Sequence, residues 1–345
     1  MPTKKRKREC SKQFHYHALP TSPPWIRLLR IRPGQKSEPL ECDIIEVDLN
    51  ENGSAEPRNY HALSYVWGRR GSTVEISVSP CPGHQCQLQI STNMLAMLTA
   101  YRTQDSHKLV WVDQLCIDQS SFMEKKSQIA LMKTIYEKAE RVRIWLGPAA
   151  DDSDIAMDAL KVLRQRMKCL YGSCDSREEV LEKLSLLDML DEPGPKVDRE
   201  WNAIRALFCR PWWHRTRILQ EATALHGART LVSCGEKHLL LFDFLSLDVV
   251  LHAALTKVRV PGFDLIYHSG VRRPVHEIWK FRSMRRKSSG RYPLYQLLTL
   301  MRPREASDPR DKIYSTLRSQ MTRRKKVPSL SLTISDLRGR YMSTW

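Results

Sequence analysis

A chain of 345 residues, 41% apolar and 27% charged, can bury one large core or two smaller ones, which excludes wholesale disorder and collagen-like or coiled-coil architecture. Its net charge of +18 is carried by the ends: Lys4 to Arg8 is an unbroken basic run, and residues 270–345 hold 19 bases against five acids, while the body between is near neutral. The longest apolar stretch, Leu239 to Leu255, is interrupted by Asp243 and Asp248 and is too short and too charged to cross a bilayer, so no membrane span is expected.

From the N-terminus, Met1 to Arg8 lacks the apolar core of a secretory signal, and a reducing compartment, cytoplasmic or nuclear, is expected. Nine cysteines, an odd number, then read as free thiols. The run Lys4 to Arg8 suits a nuclear-import signal, a screened contact with nucleic acid, or a solvated tip. Residues 13–58 contain short extended pieces, Ile26 to Ile31 and Cys42 to Val47, separated by turn residues. His61 to Trp67 reads as a buried strand stopped at Gly68, and Thr73 to Ser79 with Gln87 to Ser91 reads as a hairpin around Pro80 to His84. A helix follows, with Met94, Leu95, Leu98 and Tyr101 on one face.

Lys108 to Asp113 is a second apolar strand, Ser121-x-x-Glu124 a capping box opening a helix, and Arg141 to Leu146 a third strand closed by Gly147-Pro148. This alternation of strands and helices predicts a parallel sheet covered by helices. Residues 151–190 read as two amphipathic helices around a Tyr171 to Ser176 loop, broken at Asp191 to Pro195. Trp201 to Phe208, Trp212 to Ala224 and Leu239 to Leu255 read as helical and Thr230 to Ser233 as extended. Beyond residue 257 the pattern weakens, with Leu294 to Met301 and Ile313 to Leu317 as short helix candidates.

Phosphate-loop, dinucleotide-turn, zinc-protease and nucleophile-elbow motifs are missing. The pairs Cys81/Cys86 and Cys169/Cys174 have permitted zinc-ligand spacing but no partner pair nearby in sequence, so no metal site is assigned. In a parallel sheet, ligands bind in the crevice outside the carboxyl ends of the strands. The first strand delivers Ser64, Tyr65, Trp67 and Gly68 there, and the second delivers Asp113, Cys116 and Asp118. Such a set offers hydroxyl and carboxylate groups for a ribose, an indole face for a planar base, and a glycine for close approach. The same residues could instead serve as helix caps and core. Arg210 to Glu221 adds two adjacent tryptophans and an acid; read as one helix, it brings Trp213, Arg217, Gln220 and Glu221 together at spacings of three and four. Glu221 is either an acid with catalytic potential or the partner of Arg217 or Arg210 in a salt bridge.

His61 to Gly68, Trp111 to Gln119, the Glu124 to Tyr136 helix leading to Ile144 to Gly147, and Arg210 to Arg215 with Gln220-Glu221 resemble successive blocks of the fungal heterokaryon-incompatibility (HET) domain. Asp308 to Tyr314 resembles a further block, while Arg217 stands where the family usually has Trp. The resemblance implies a role in non-self recognition and programmed cell death in filamentous fungi. HET domains are in turn distantly similar to TIR domains, which implies an α/β fold with a flavodoxin-like parallel sheet flanked by helices, here with helical insertions and a small β-hairpin. By that looser similarity Glu221 takes the position of the acid in TIR enzymes that cleave NAD. Ser64, Tyr65, Trp67, Gly68, Asp113, Cys116 and Asp118 would then line a pocket for NAD as substrate, with no bound cofactor. The expected organisation is a basic tip (1–12), an N-terminal extended segment (13–58), the HET domain (59–256) and a basic, partly helical C-terminal region (257–345). Two further readings stand beside the enzyme: a signalling module that assembles as a homo-oligomer or with an upstream recognition protein, and a nuclear protein touching nucleic acid through its basic ends.

Overall fold

A computed structural model describes residues 12–20, 22–50, 59–68, 71–81, 84–173, 195–215, 218–223, 229–245, 275–278 and 280–281. The two C-terminal helix candidates, the Asp308 to Tyr314 block, the basic runs and Arg217 lie outside them. Among the described residues ten strands form one sheet: β1 (Lys12–Gln13), β2 (Trp25–Ile31), β3 (Glu41–Asp48), β4 (His61–Ser64), β5 (Thr73–Cys81), β6 (His84–Ser91), β7 (Lys108–Trp111), β8 (Arg141–Trp145), β9 (Thr230–Cys234) and β10 (Lys237–Leu240). Their spatial order is β1-β6-β5-β3-β2-β7-β4-β8-β9-β10.

The centre of the sheet is parallel, with β7, β4, β8 and β9 side by side. Numbered among themselves along the chain, these four run 2-1-3-4, which is compatible with the doubly wound α/β class. The rest differs from the expected parallel sheet. β2 runs antiparallel between β3 and β7, and the expected β5–β6 hairpin extends the same sheet through β3. β10 folds back on β9 at the other edge. Leu239 and Leu240 are therefore strand residues, and the apolar run beginning there turns helical only at residue 241. Its periodicity alone could not separate the two.

Helices cover both faces. α1 (Thr92–Tyr101) packs Met94, Met97 and Leu98 on one face, over Leu29, Leu63 and Val110. The other face carries α3 (Phe122–Lys138), α4 (Ser153–Ser173) and α5 (Pro195–Phe208), whose Ile135, Leu160, Ile204 and Phe208 close over Ala62, Trp111 and Ile144. α4 runs through Tyr171, where a loop is expected from the sequence, and α5 opens at Pro195, a residue suited to a helix start because its missing N–H has no partner there in any case. Between them, residues 174–194 lie outside the described set.

The capping box at α3 forms by half. The Ser121 hydroxyl accepts from the Glu124 N–H at 3.2 Å, but the Glu124 carboxylate turns to the fully buried Arg27 (2.6 Å) and the Asp118 N–H (2.8 Å). That buried ion pair ties β2 to the start of α3; removing Arg27 would take away the cation that holds the Glu124 carboxylate, and removing Glu124 would leave Arg27 the longer 3.5 Å contact with Glu46.

Candidate functional site

The crossover from β4 to β7 passes α1 on one face, and that from β7 to β8 passes α3 on the other, so the chain reverses direction about β4. The crevice outside the carboxyl ends of β4 and β8 is thus the switch point at which such sheets hold ligands. It is entered on one side by α2 (Asp113–Cys116), immediately after β7. On the other side are a 3-10 turn (Pro211–His214) and α6 (Ile218–Thr223).

Ser64, the last residue of β4, is the hub. Its side chain alternates away from Leu63 and Tyr65 toward the α3 face. There Oγ accepts a hydrogen bond from Trp212 Nε1 at 2.7 Å and donates to Glu221 Oε2. Ser64 is 2% exposed and Glu221 4%, so hydroxyl, indole and carboxylate form a cluster largely shielded from water. The extended backbone at Arg215 separates the Trp212-Trp213 turn from α6. Trp213 and Glu221 therefore do not share a helix, contrary to the sequence reading. The break frees the tryptophans to face the sheet while α6 aims Glu221 at β4. Trp213 packs instead against Phe208, with ring centroids 4.7 Å apart, and donates to the Leu207 carbonyl at 3.1 Å.

A second pair stands at the rim. Trp67 is 39% exposed, and its indole N–H is held by both Asp113 carboxylate oxygens at 3.0 and 3.1 Å. Between the pairs, Tyr65 is buried with its hydroxyl donating to Gln114 Oε1 at 2.9 Å, and the Arg215 guanidinium donates to its carbonyl oxygen. Burial pushes the Tyr65 phenol well above its ordinary range, with Asp113 adding to the rise. Tyr136 of α3 shifts the same way, first through burial and next through the charge of Glu221, and its hydroxyl donates to the Leu63 carbonyl at 3.0 Å. Both phenols thus stay neutral hydrogen-bond donors beside the two acids.

Gly68 adopts φ +92°, a backbone region that side chains with a Cβ rarely enter, and so turns the chain out of β4. Cys116 is buried beneath the crevice; its sulfur accepts from the Val112 N–H at 3.4 Å, and burial pushes the thiol up to about 12. Asp118 faces Ser120, accepting from its N–H at 2.9 Å and hydroxyl at 2.6 Å. The site thus joins Ser64 to Glu221 and Trp67 to Asp113, with Tyr65 between them, while Cys116 and Asp118 take part in local bonds of the β7–α3 connection.

Sequence reasoning passed over Trp212, Arg215 and Asn93. Asn93, the second residue of α1, donates to the Val66 carbonyl at 2.7 Å and accepts from Trp145 Nε1 at 3.1 Å, fixing the exit of β4 against β8. Adjacent tryptophans beside arginines were the one visible signal; Asn93 had none. Arg210 bonds the carbonyls of Leu146 (3.2 Å), Pro148 (2.8 Å) and Ala150 (3.0 Å), shaping the turn after β8.

Among the described residues, a mixed ten-stranded sheet covered by helices, with a buried hydroxyl–carboxylate pair at the carboxyl ends of its central parallel strands, defines an α/β domain carrying a polar strand-end site. Residues 60–221, spanning the hub serine's strand through its carboxylate partner, match the family model described as "Heterokaryon incompatibility protein (HET)". This segment is similar to the HET domains which that family model describes. The chain is similar to "Heterokaryon incompatibility protein 6, OR allele" of Neurospora crassa, 29% identical over 341 residues, which covers 88% of this chain and 49% of the relative. It thus spans about half the length of the curated relative it matches. No solved structure matches it significantly.

Proposed function

We propose that this chain acts in fungal non-self recognition and the programmed cell death that follows it, and that its strand-end site hydrolyses the nicotinamide–ribose bond of NAD. The recognition half is supported by the similarity to HET domains and by the relative named a heterokaryon incompatibility protein. The catalytic half is carried by one observation, the hydrogen bond that holds the Glu221 carboxylate against Ser64 at the switch point. Departure of nicotinamide leaves positive charge on the ribose, and a carboxylate held in a water-poor site stabilises that oxocarbenium-like state electrostatically. In the balanced reaction, nicotinamide leaves with the electron pair of the C–N bond, water adds its oxygen to the ribose carbon, and one proton is released. Ser64 keeps one carboxylate oxygen in place, and the Trp67 ring, held by Asp113, offers a fixed face on which a planar base can stack.

The test is release of nicotinamide from NAD by the purified chain. Glu221→Gln is expected to lower that release at least about a hundredfold with the far-ultraviolet dichroism unchanged. Full turnover by the variant would remove Glu221 from the chemistry. A second reading, a non-catalytic module that assembles through its helices, is favoured by the small exposure of Glu221 and by the two bonds already made by the Ser64 hydroxyl. Failure of the wild-type chain to release nicotinamide, even concentrated and assembled, would select that module.

A further inference from the structure

On the opposite face of the sheet from Ser64 and Glu221, a half-open cavity of about 50 Å³ lies along the flank of α1. Tyr101 of α1, Arg143 and Trp145 of β8, Ser233 of β9 and His238 of β10 line it, with Glu236 at the β9–β10 turn. Strand register explains their company: Trp145 pairs with Ser233 and Ser233 with His238, and directly paired residues present side chains to the same face. Among the described residues, the apolar cluster under α1 ends at Trp145 and takes in no residue of β9 or β10.

Arg143 is the member that demands a partner. A guanidinium withdrawn into a sheet face loses hydration that only a counter-charge restores. Among the described residues no carboxylate pairs with it. Glu140 lies 3.6 Å from His61 and 4.0 Å from Arg141, and Glu236 is bound to Lys36. Arg143 has Tyr101, whose ring centroid is 4.7 Å from the guanidinium carbon and whose hydroxyl is a neutral hydrogen-bond partner, while its buried Nε–H has no acceptor. Burial pulls its pKa down, as it does for a cation lacking an opposite charge.

An uncompensated guanidinium beside a hydroxyl and an imidazole makes a receptacle for an anion. The planar fork of arginine matches two oxygens of a tetrahedral oxyanion, leaving the others for Ser233 and His238. The small volume admits a compact anionic group, and the open side leaves room for an attached organic body outside. We propose that this cavity binds a phosphate group, free or at the end of a small phosphate ester, with Arg143 as its principal ligand.

The full chain is titrated calorimetrically with inorganic phosphate, with ribose 5-phosphate and with acetate. Saturable binding of either phosphate compound is expected; tighter binding of the ester identifies an ester as the source, and equal binding identifies free phosphate. Arg143→Gln should weaken binding at least about tenfold, the loss of a charge-assisted pair. Glu236→Gln removes an acid from the mouth and frees Lys36, so it should tighten binding about twofold, a direction that damage to the fold cannot produce. If Arg143→Gln does not fold, Glu236→Gln decides: unchanged or weaker binding overturns the proposal. So does failure of both phosphate compounds to saturate, or acetate binding as well as they do.

Discussion

Ser64→Ala offers a direct test of the hub, because one oxygen atom there serves two buried partners. Its removal leaves the Trp212 indole N–H without the acceptor it now has at 2.7 Å, a penalty of about 1–3 kcal/mol for a buried unsatisfied donor. It also strips a hydrogen bond from the Glu221 carboxylate, worth about 1.5–3 kcal/mol because the acceptor is charged. The two together amount to about 2.5–6 kcal/mol, a large fraction of the roughly 5–15 kcal/mol that holds a domain folded. Urea unfolding of both proteins measures the loss, provided that the slope of free energy with denaturant is unchanged. Trp212→Phe supplies the control. Whatever its own cavity costs, Ser64→Ala should be about 1–3 kcal/mol milder in that background, since the orphaned donor is then gone. A Ser64→Ala loss below about 1 kcal/mol, or strict additivity in the cycle, would refute the hub.

Gly147→Ala should lower the thermal midpoint by the equivalent of about 1–3 kcal/mol, because φ there is +116° and a Cβ would sit 3.0 Å from Arg210 Nη1. Burial pushes the Cys42 and Cys116 thiols up to about 12, so at pH 8 an alkylating reagent mapped by mass spectrometry should, among the described cysteines, modify exposed Cys209 first and reach those two only on unfolding. His61 is held down to about 4, chiefly by burial and next by the Arg143 cation, and its Nδ1 is hydrogen bonded to the Tyr101 hydroxyl. The neutral imidazole is thus the native form despite the nearby Glu140. Its contribution to stability is present above the unfolded value of about 6.5 and is lost as pH falls toward 4. Denaturation midpoints of wild type should therefore fall over that window more steeply than those of His61→Phe.

Local pattern exposed the strands and left their neighbours hidden. Ile26 to Ile31 and Lys108 to Asp113 each announce a strand by apolar content, yet nothing within either predicts that Leu29 pairs with Val110. Pairing across 81 residues is settled by global topology, not by local propensity. The site followed the same division. Strand ends located Ser64, Trp67 and Asp113, because an apolar run that stops at polar residues marks its own terminus. Glu221 was joined to those strand ends only through the family resemblance. That it reaches Ser64 from a helix separate from the two tryptophans stayed hidden because the Trp212 to Thr223 stretch carries no Gly or internal Pro to betray its break at Arg215, so an unbroken helix was the natural inference. The Glu124 side chain misled for a related reason: a capping box is read within four residues, and Arg27 outbids it from 97 residues away.

The placement of β2 bears on where this unit can be cut. A fragment begun at Tyr60, where the family match starts, would keep β7 but lose the strand bonded to its outer side, and the β5–β6 hairpin would lose β3, its bridge to the centre. Raw backbone along β7 would then template pairing between molecules, so such a truncation should precipitate where the full chain stays dispersed. The heritable module outlined by sequence similarity is smaller than the one that can stand by itself.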